Sequence, residues 1–172
     1  SEARDWLLQI AKPVATEMVQ LANCSGRILG QDLIAADNVP PFDRSPYDGY
    51  AFRTIDTKDA SREHPITLKI LEEIAAGDVS HFPVAEGCAV KVLTGAPIPE
   101  GADAVTKFEL TEFTEESVTI FEPCKSGSNI VRTGEDVKIG DVLAEKGMQI
   151  DPGLMGTLAS QNASTPLVYR SP

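Results

Sequence analysis

With 172 residues and a formal net charge of −11 at pH 7, the chain lacks the basic stripe that would displace counterions from nucleic acid, and its charge opposes an anionic membrane surface. Apolar residues make up 42% and charged residues 24%, the balance of a globular chain with room for one or two domains. Its longest apolar runs fall far short of a bilayer span, and Glu2, Arg4 and Asp5 ahead of Trp6-Leu7-Leu8 do not make a secretion signal. An initial Ser without Met reads as a trimmed or processed start. Cys24, Cys88 and Cys124 are widely spaced and lack a C-x-x-C pair, so they read as reduced thiols of a cytoplasmic protein rather than zinc ligands or disulfides. His64 and His81 have no metal-like spacing and receive no role.

In chain order, residues 3–12 predict a short amphipathic helix with Trp6, Leu7 and Ile10 on one face, ended by Pro13. A brief strand follows over 18–22, then a turn of helix closing at 26–30 and a strand over 33–36. Pro40, Pro41 and Pro46 bias residues 39–46 toward extended backbone, and Asp48-Gly49 signals a turn. After that corner Tyr50 and Phe52 alternate with Ala51 and Arg53, as on a half-buried strand. Alternation recurs at Ile66, Leu68 and Ile70, and at Cys88, Val90 and Val92, with further strands over 105–113 and 118–121. The acidic run 112–116 reads as a solvated hairpin tip. Short strands punctuated by Gly, Pro and acidic turns over 39–124 suggest a small barrel or sandwich.

Beyond Val137, two short strands joined at Gly140-Asp141 precede a helix over 154–160. Asp151 caps that helix, Pro152 suits its first turn, and Leu154, Met155 and Leu158 share a face. Leu167-Val168-Tyr169 forms a final strand. The fold class expected is α+β.

Three segments carry candidate chemistry. The first is Pro40-Pro41-Phe42-Asp43-Arg44-Ser45-Pro46-Tyr47-Asp48-Gly49-Tyr50-Ala51-Phe52-Arg53, where Asp48 either stabilises its own turn or presents a carboxylate. The second is Leu93-Thr94-Gly95-Ala96-Pro97-Ile98-Pro99-Glu100-Gly101-Ala102-Asp103-Ala104-Val105. The third is Asn129-Ile130-Val131-Arg132-Thr133-Gly134-Glu135-Asp136-Val137. Arg44, Arg53, Lys91, Lys107 and Arg132 lie within or beside them, which leaves a small anionic ligand open despite the net charge.

The first segment resembles the SxxDGYA signature of MoeA-type molybdopterin molybdenumtransferases, and the other two resemble further motifs of that family in the same order. The chain departs from the pattern at Pro46-Tyr47, where members carry small or flexible residues. The resemblance runs over residues 4–172 and matches the N-terminal part of the family. It implies an elongated mixed α/β domain, residues 1–38 plus 141–172, with a β-rich domain inserted over 39–140. The family's larger pterin-binding domain has no counterpart here, and no G-x-G-x-x-G or Walker loop replaces it. The implied protein is an N-terminal fragment of the enzyme, or a truncated paralogue, inactive alone.

The resemblance also implies the family's reaction, in which adenylylated molybdopterin is hydrolysed as molybdate enters the dithiolene with the help of Mg²⁺. The family's site forms between the β-rich insert of one subunit and the pterin-binding domain of the other. By motif matching, Asp48, Thr94 and Asp136 are the catalytic candidates, and Ser45 and Arg132 the substrate-binding ones. Asp48 and Asp136 are also candidate Mg²⁺ ligands, since that ion prefers a few carboxylate oxygens plus water and phosphate. Each has a plainer role: a turn stabiliser for Asp48, a turn hydroxyl for Thr94, a loop cap for Asp136 and a surface ion pair for Arg132. Implied partners are a second copy of the chain, the anionic pterin and other proteins of molybdenum cofactor biosynthesis. Two other readings compete: a non-catalytic dimerisation module, and a carrier module suggested by Lys138-Ile139-Gly140-Asp141-Val142-Leu143, which looks like a strand pair of biotinyl domains but lacks their displayed lysine.

Overall fold

The computed structural model describes Glu2, residues 4–6 and residues 14–171. Glu2 and residues 4–6 are helical; the rest of the helix expected over 3–12, with Leu7, Ile10 and Pro13, lies outside the described residues. The described strands are β1 (Thr16–Met18), β2 (Leu33–Ile34), β3 (Gly49–Phe52), β4 (Ile66–Ile74), β5 (Cys88–Val92), β6 (Ala104–Lys107), β7 (Thr111–Phe113), β8 (Ser117–Ile120), β9 (Val142–Ala144) and β10 (Leu167–Tyr169), and a helix, α1 (Pro152–Ser160), precedes β10.

The chain divides into two compact units, Ser1–Asp37 with Val137–Pro172, and Asn38–Asp136. The sequence reading puts the second boundary after residue 140. Residues 137–140 instead group with the first unit, because the Gly140 amide donates to the Ala35 carbonyl at 3.0 Å and the Lys138 amide to Asp141 Oδ2 at 2.9 Å.

In the first unit, β1 pairs antiparallel with β10 and β2 with β9. Local chemistry sets α1: Asp151 accepts from the Leu154 amide at 2.8 Å, and Pro152 occupies the first turn, where its missing N–H has no intrahelical partner to lose. Leu154 and Leu158 turn inward onto Leu29, Ala144, Ile150 and Val168, with Met155 packed alongside. Burying Leu158 fully is worth roughly 1.5–3 kcal/mol. The strand expected over 18–22 sits earlier, at Thr16–Met18, and residues 26–30 do not close a helix. Leu29 is buried and its amide donates to the Met148 carbonyl at 2.9 Å, so a tertiary pairing takes the place of a local turn.

The second unit is built on one six-stranded sheet in the order β6-β3-β5-β4-β8-β7, parallel only between β4 and β5. Ala51, Val90, Val92 and Val105 pack on one face with Ile74, Val84, Ala96 and Ile130; Tyr50, Phe52, Ala89 and Leu68 pack on the other with Val118 and Ile120. All four β3 residues are therefore buried, and the half-buried alternation expected at 50–53 is overturned by cover on both faces.

The single strand expected over 105–113 breaks at a 3-10 turn, Phe108–Leu110, which carries the chain from the β6 edge to the β7 edge. Phe108, Phe113 and Tyr50 meet across that seam with ring centroids 5.1–5.8 Å apart. No ladder among the described residues joins β6 to β7, so the sheet is curled and open.

Candidate functional site

The three sequence segments converge on Arg44. Its backbone bridges Val131 on one side, with N–H···O bonds of 3.0 Å in both directions, and Pro97 on the other. The first motif thus runs between the other two. Further bonds extend the seam: the Ile98 amide to the Asp43 carbonyl at 2.9 Å, the Gly95 amide to the Ser45 carbonyl at 2.8 Å, and the Gly134 amide to the Pro40 carbonyl at 2.9 Å.

Asp48 lies at the entry to β3 and Thr94 just past the end of β5, strands that pair with Gly49 opposite Val92. This register delivers Thr94 to Asp48: the Thr94 amide and its Oγ1 hydroxyl both donate to Asp48 Oδ1, each at 2.7 Å. Oδ2 takes no hydrogen bond from the described residues, and Asp48 is exposed. The Thr94 hydroxyl, then its amide, and more weakly the Lys91 ammonium, hold the Asp48 carboxyl below the usual range. It stays a carboxylate near neutrality and is a weak proton acceptor. Thr94 commits its hydroxyl proton to Asp48, so it orients the carboxylate and is not free to donate elsewhere.

The other sequence-predicted residues fall out differently. Ser45 is fully buried, its hydroxyl donating to the Tyr47 carbonyl at 2.5 Å and accepting from the Tyr47 amide at 3.3 Å. It shapes the corner that aims Asp48, with its hydroxyl committed to the Tyr47 backbone. Arg132 donates through Nη1 to Asp43 Oδ2 at 2.6 Å. The exposed Asp136 joins through its amide to the Val39 carbonyl at 2.9 Å, at the far end of the 39–45 segment from Asp48. Among the described residues no group of three or more His, Cys, Asp or Glu forms a metal-holding cluster.

Asp43 is the residue to which sequence reasoning assigned no role. Its carboxylate accepts from the Arg132 guanidinium, from the Thr133 amide at 2.8 Å and from the Thr133 hydroxyl at 2.9 Å. The Thr133 amide bond leads the effects that hold its pKa down. Asp43 thereby ties the third motif to the first. The available signal was charge complementarity between two motifs, Asp43 in one and Arg132 in the other.

Gly49 also has a different purpose from the turn read for it. Its φ is not in the left-handed region. A Cβ there would sit 2.0 Å from the Thr106 carbonyl oxygen, so glycine is required by the close approach of β6. Beside it Lys107, opposite Gly49 in the ladder, lays its ammonium 3.8 Å from the centre of the Tyr47 ring.

The family model for the MoeA N-terminal region, domains I and II, matches residues 1–162, and the chain belongs to that family. Its relatives include the molybdopterin molybdenumtransferase of Bacillus subtilis, 44% identical over 161 residues, which cover 91% of this chain and 37% of the relative. That of Staphylococcus aureus strain Mu50 is 40% identical over 164 residues, covering 95% of this chain and 39% of the relative. The crystal structure of the molybdopterin biosynthesis MoeA protein from Pyrococcus horikoshii OT3 superposes with a TM-score of 0.93 at 38% identity, over 99% of this chain and 45% of that one. The chain thus spans about two fifths of the curated relatives it matches. No helix of the described residues is long and apolar enough to cross a membrane.

Proposed function

We propose that this chain serves as the N-terminal part of a molybdopterin molybdenumtransferase, contributing Asp48 to a site that acts on adenylylated molybdopterin and molybdate. The observation that carries the reading is the Asp48–Thr94 pair. It is an exposed carboxylate, its pKa held below the usual range, with one oxygen fixed by two short donors and the other left open. An open carboxylate oxygen of this kind suits Mg²⁺, which takes one or two protein carboxylates and fills its remaining positions with water and substrate phosphate. Asp48 would hold the ion, and the bound ion would supply charge neutralisation at the diphosphate and a positioned water. Asp136, held at the Val39 end of the 39–45 segment, lies apart from the Asp48 carboxylate and is not proposed as a second ligand.

The chain's own contributions follow from its geometry. Ser45 and Gly49 shape the corner, and Thr94 aims the carboxylate. The Asp43–Arg132–Thr133 clamp holds the third motif in register, leaving the remaining guanidinium N–H groups of Arg132 for an oxyanion. Catalysis would need residues beyond these two units, and the chain would act as a homodimer in the cytoplasm.

The test is a chimaera in which this chain replaces the corresponding region of the Bacillus subtilis relative, assayed for molybdate-dependent release of AMP from adenylylated molybdopterin. Activity in the chimaera, with a loss of roughly two orders of magnitude or more in Asp48→Asn, is expected. A folded chimaera whose activity is unchanged by the Asp48→Asn substitution would overturn the assignment. Light scattering of the 172-residue chain checks the dimer, and a monomer at all concentrations would remove that part.

A further inference from the structure

Tyr47 stands one residue before Asp48, and both of its backbone polar groups are committed to Ser45. Its carbonyl accepts the Ser45 hydroxyl at 2.5 Å and its amide donates to Ser45 Oγ at 3.3 Å. Ser45 in turn is tied to the second motif, its amide donating to the Ala96 carbonyl at 2.9 Å. The backbone thus anchors the start of the corner. At Tyr47 itself, the link to the sheet runs through side chains.

That link comes from the end of β6. Lys107 lies opposite Gly49 in the ladder, and its ammonium is 3.8 Å from the centre of the Tyr47 ring. This is well inside the roughly 6 Å over which an aromatic face holds a cation. Among the described residues no carboxylate is within ion-pair distance of Lys107, so the ring is the partner of its charge. The next residue, Phe108, donates its amide to the Asp48 carbonyl at 3.3 Å, a long bond that by itself grips the corner weakly. The end of β6 therefore holds the corner on both sides of the Asp48 Cα, through the Tyr47 ring before it and the Asp48 carbonyl after it.

We propose that Lys107 is a positioning residue for the Asp48 site: its ammonium, seated on the Tyr47 ring, fixes the corner so that Asp48 keeps one oxygen on Thr94 and presents the other. Pro46 locks its own φ but leaves the torsions between its ring and the Asp48 Cα free to swing. The Tyr47 ring is 41% exposed, so the surrounding packing does not immobilise it. Rotation at those torsions would draw Asp48 Oδ1 from the Thr94 amide and hydroxyl, each 2.7 Å away, and turn Oδ2 with it. A shift of about 1 Å is enough to impair a reaction that depends on alignment. The inference rests on the transferase reading for what the open oxygen does, while the corner's geometry is testable without the reaction.

The first measurement is hydrogen exchange by NMR in the 172-residue chain. Lys107→Met should speed exchange of the Thr94 amide about threefold, the worth of an exposed cation–π contact, with the Val90 amide of β5 unchanged. Tyr47→Leu should do the same, the double variant should go no further because the two side chains act as one unit, and Lys107→Arg should keep the parent rate. In the Bacillus subtilis chimaera, Lys107→Met should lower kcat for AMP release about threefold and leave KM for adenylylated molybdopterin unchanged. An unmoved Thr94 amide in a folded Lys107→Met variant overturns the proposal, as do effects that add in the double variant or a kcat indifferent to Lys107→Met. If Asp48→Asn still inactivates the chimaera, such a failure is confined to this inference. A folded chimaera indifferent to Asp48→Asn overturns both this inference and the transferase reading.

Discussion

Replacing Gly49 by alanine adds one methyl at the point where β3 and β6 approach most closely. The new Cβ would lie 2.0 Å from the Thr106 carbonyl oxygen, and that neighbour is backbone, so no side chain can swing aside. To reach a tolerable contact the two strands must part by about 1 Å or more, which takes a ladder bond of ordinary length beyond useful geometry. Loss of about two such bonds costs ~2 kcal/mol, and residual strain adds ~1 kcal/mol, giving a total near ~3 kcal/mol. With a urea dependence of about 2 kcal/mol per M, the unfolding midpoint followed by circular dichroism should fall by roughly 1.5 M. The same separation would pull Asp48 from Thr94, since the Phe108 amide donates to the Asp48 carbonyl at 3.3 Å beside that contact. Gly156→Ala is the control: it lies in α1 with nothing within 4 Å of an added Cβ, and should gain ~0.5–1 kcal/mol through helix propensity. A Gly49→Ala variant within about 0.5 kcal/mol of the parent would refute the close-approach argument.

Thr94→Val removes the leading influence that depresses the Asp48 pKa while leaving the amide bond in place. The Asp48 carboxyl should titrate at higher pH in the variant, read from its side-chain ¹³C shift, and an unchanged titration would contradict the assigned orientation. Glu72 is raised by burial but lowered more by its bonds from Ser80, His81 and Phe82, to about 2 in the folded chain. Its contribution is therefore fully present above the unfolded carboxyl range near about pH 4.3 and is lost as pH falls toward about 2. Glu72→Gln should flatten the acid limb of the stability profile between those values; a parallel profile would count against the bonds. Asp43→Ala removes three hydrogen bonds to the third motif, one of them from a guanidinium, at a partly screened site. A loss of about 1–2 kcal/mol is expected, together with faster hydrogen exchange at Thr133 and Gly134, and unchanged exchange there would remove Asp43 from its clamping role.

Short-range chemistry was readable in the residues themselves. The strand Cys88–Val92 follows from alternation, α1 from an Asp cap followed by Pro, and the acidic tip from charge between two β-rich runs. In each case the deciding interactions lie within a few residues. The order and type of the three motifs were equally visible, and with them the family and the candidacy of Asp48 and Thr94. Tertiary structure decided what those residues do. Thr94 meets Asp48 across 46 residues of chain and Arg132 meets Asp43 across 89, through pairings that no local pattern encodes. Cover on both sheet faces buries Ala51 along with Tyr50, and the turn at Phe108 splits one apparent strand between opposite edges of the sheet. The requirement for Gly49 and the burial of Ser45 have the same origin. Each depends on how near a distant backbone comes, and sequence periodicity carries no measure of that distance.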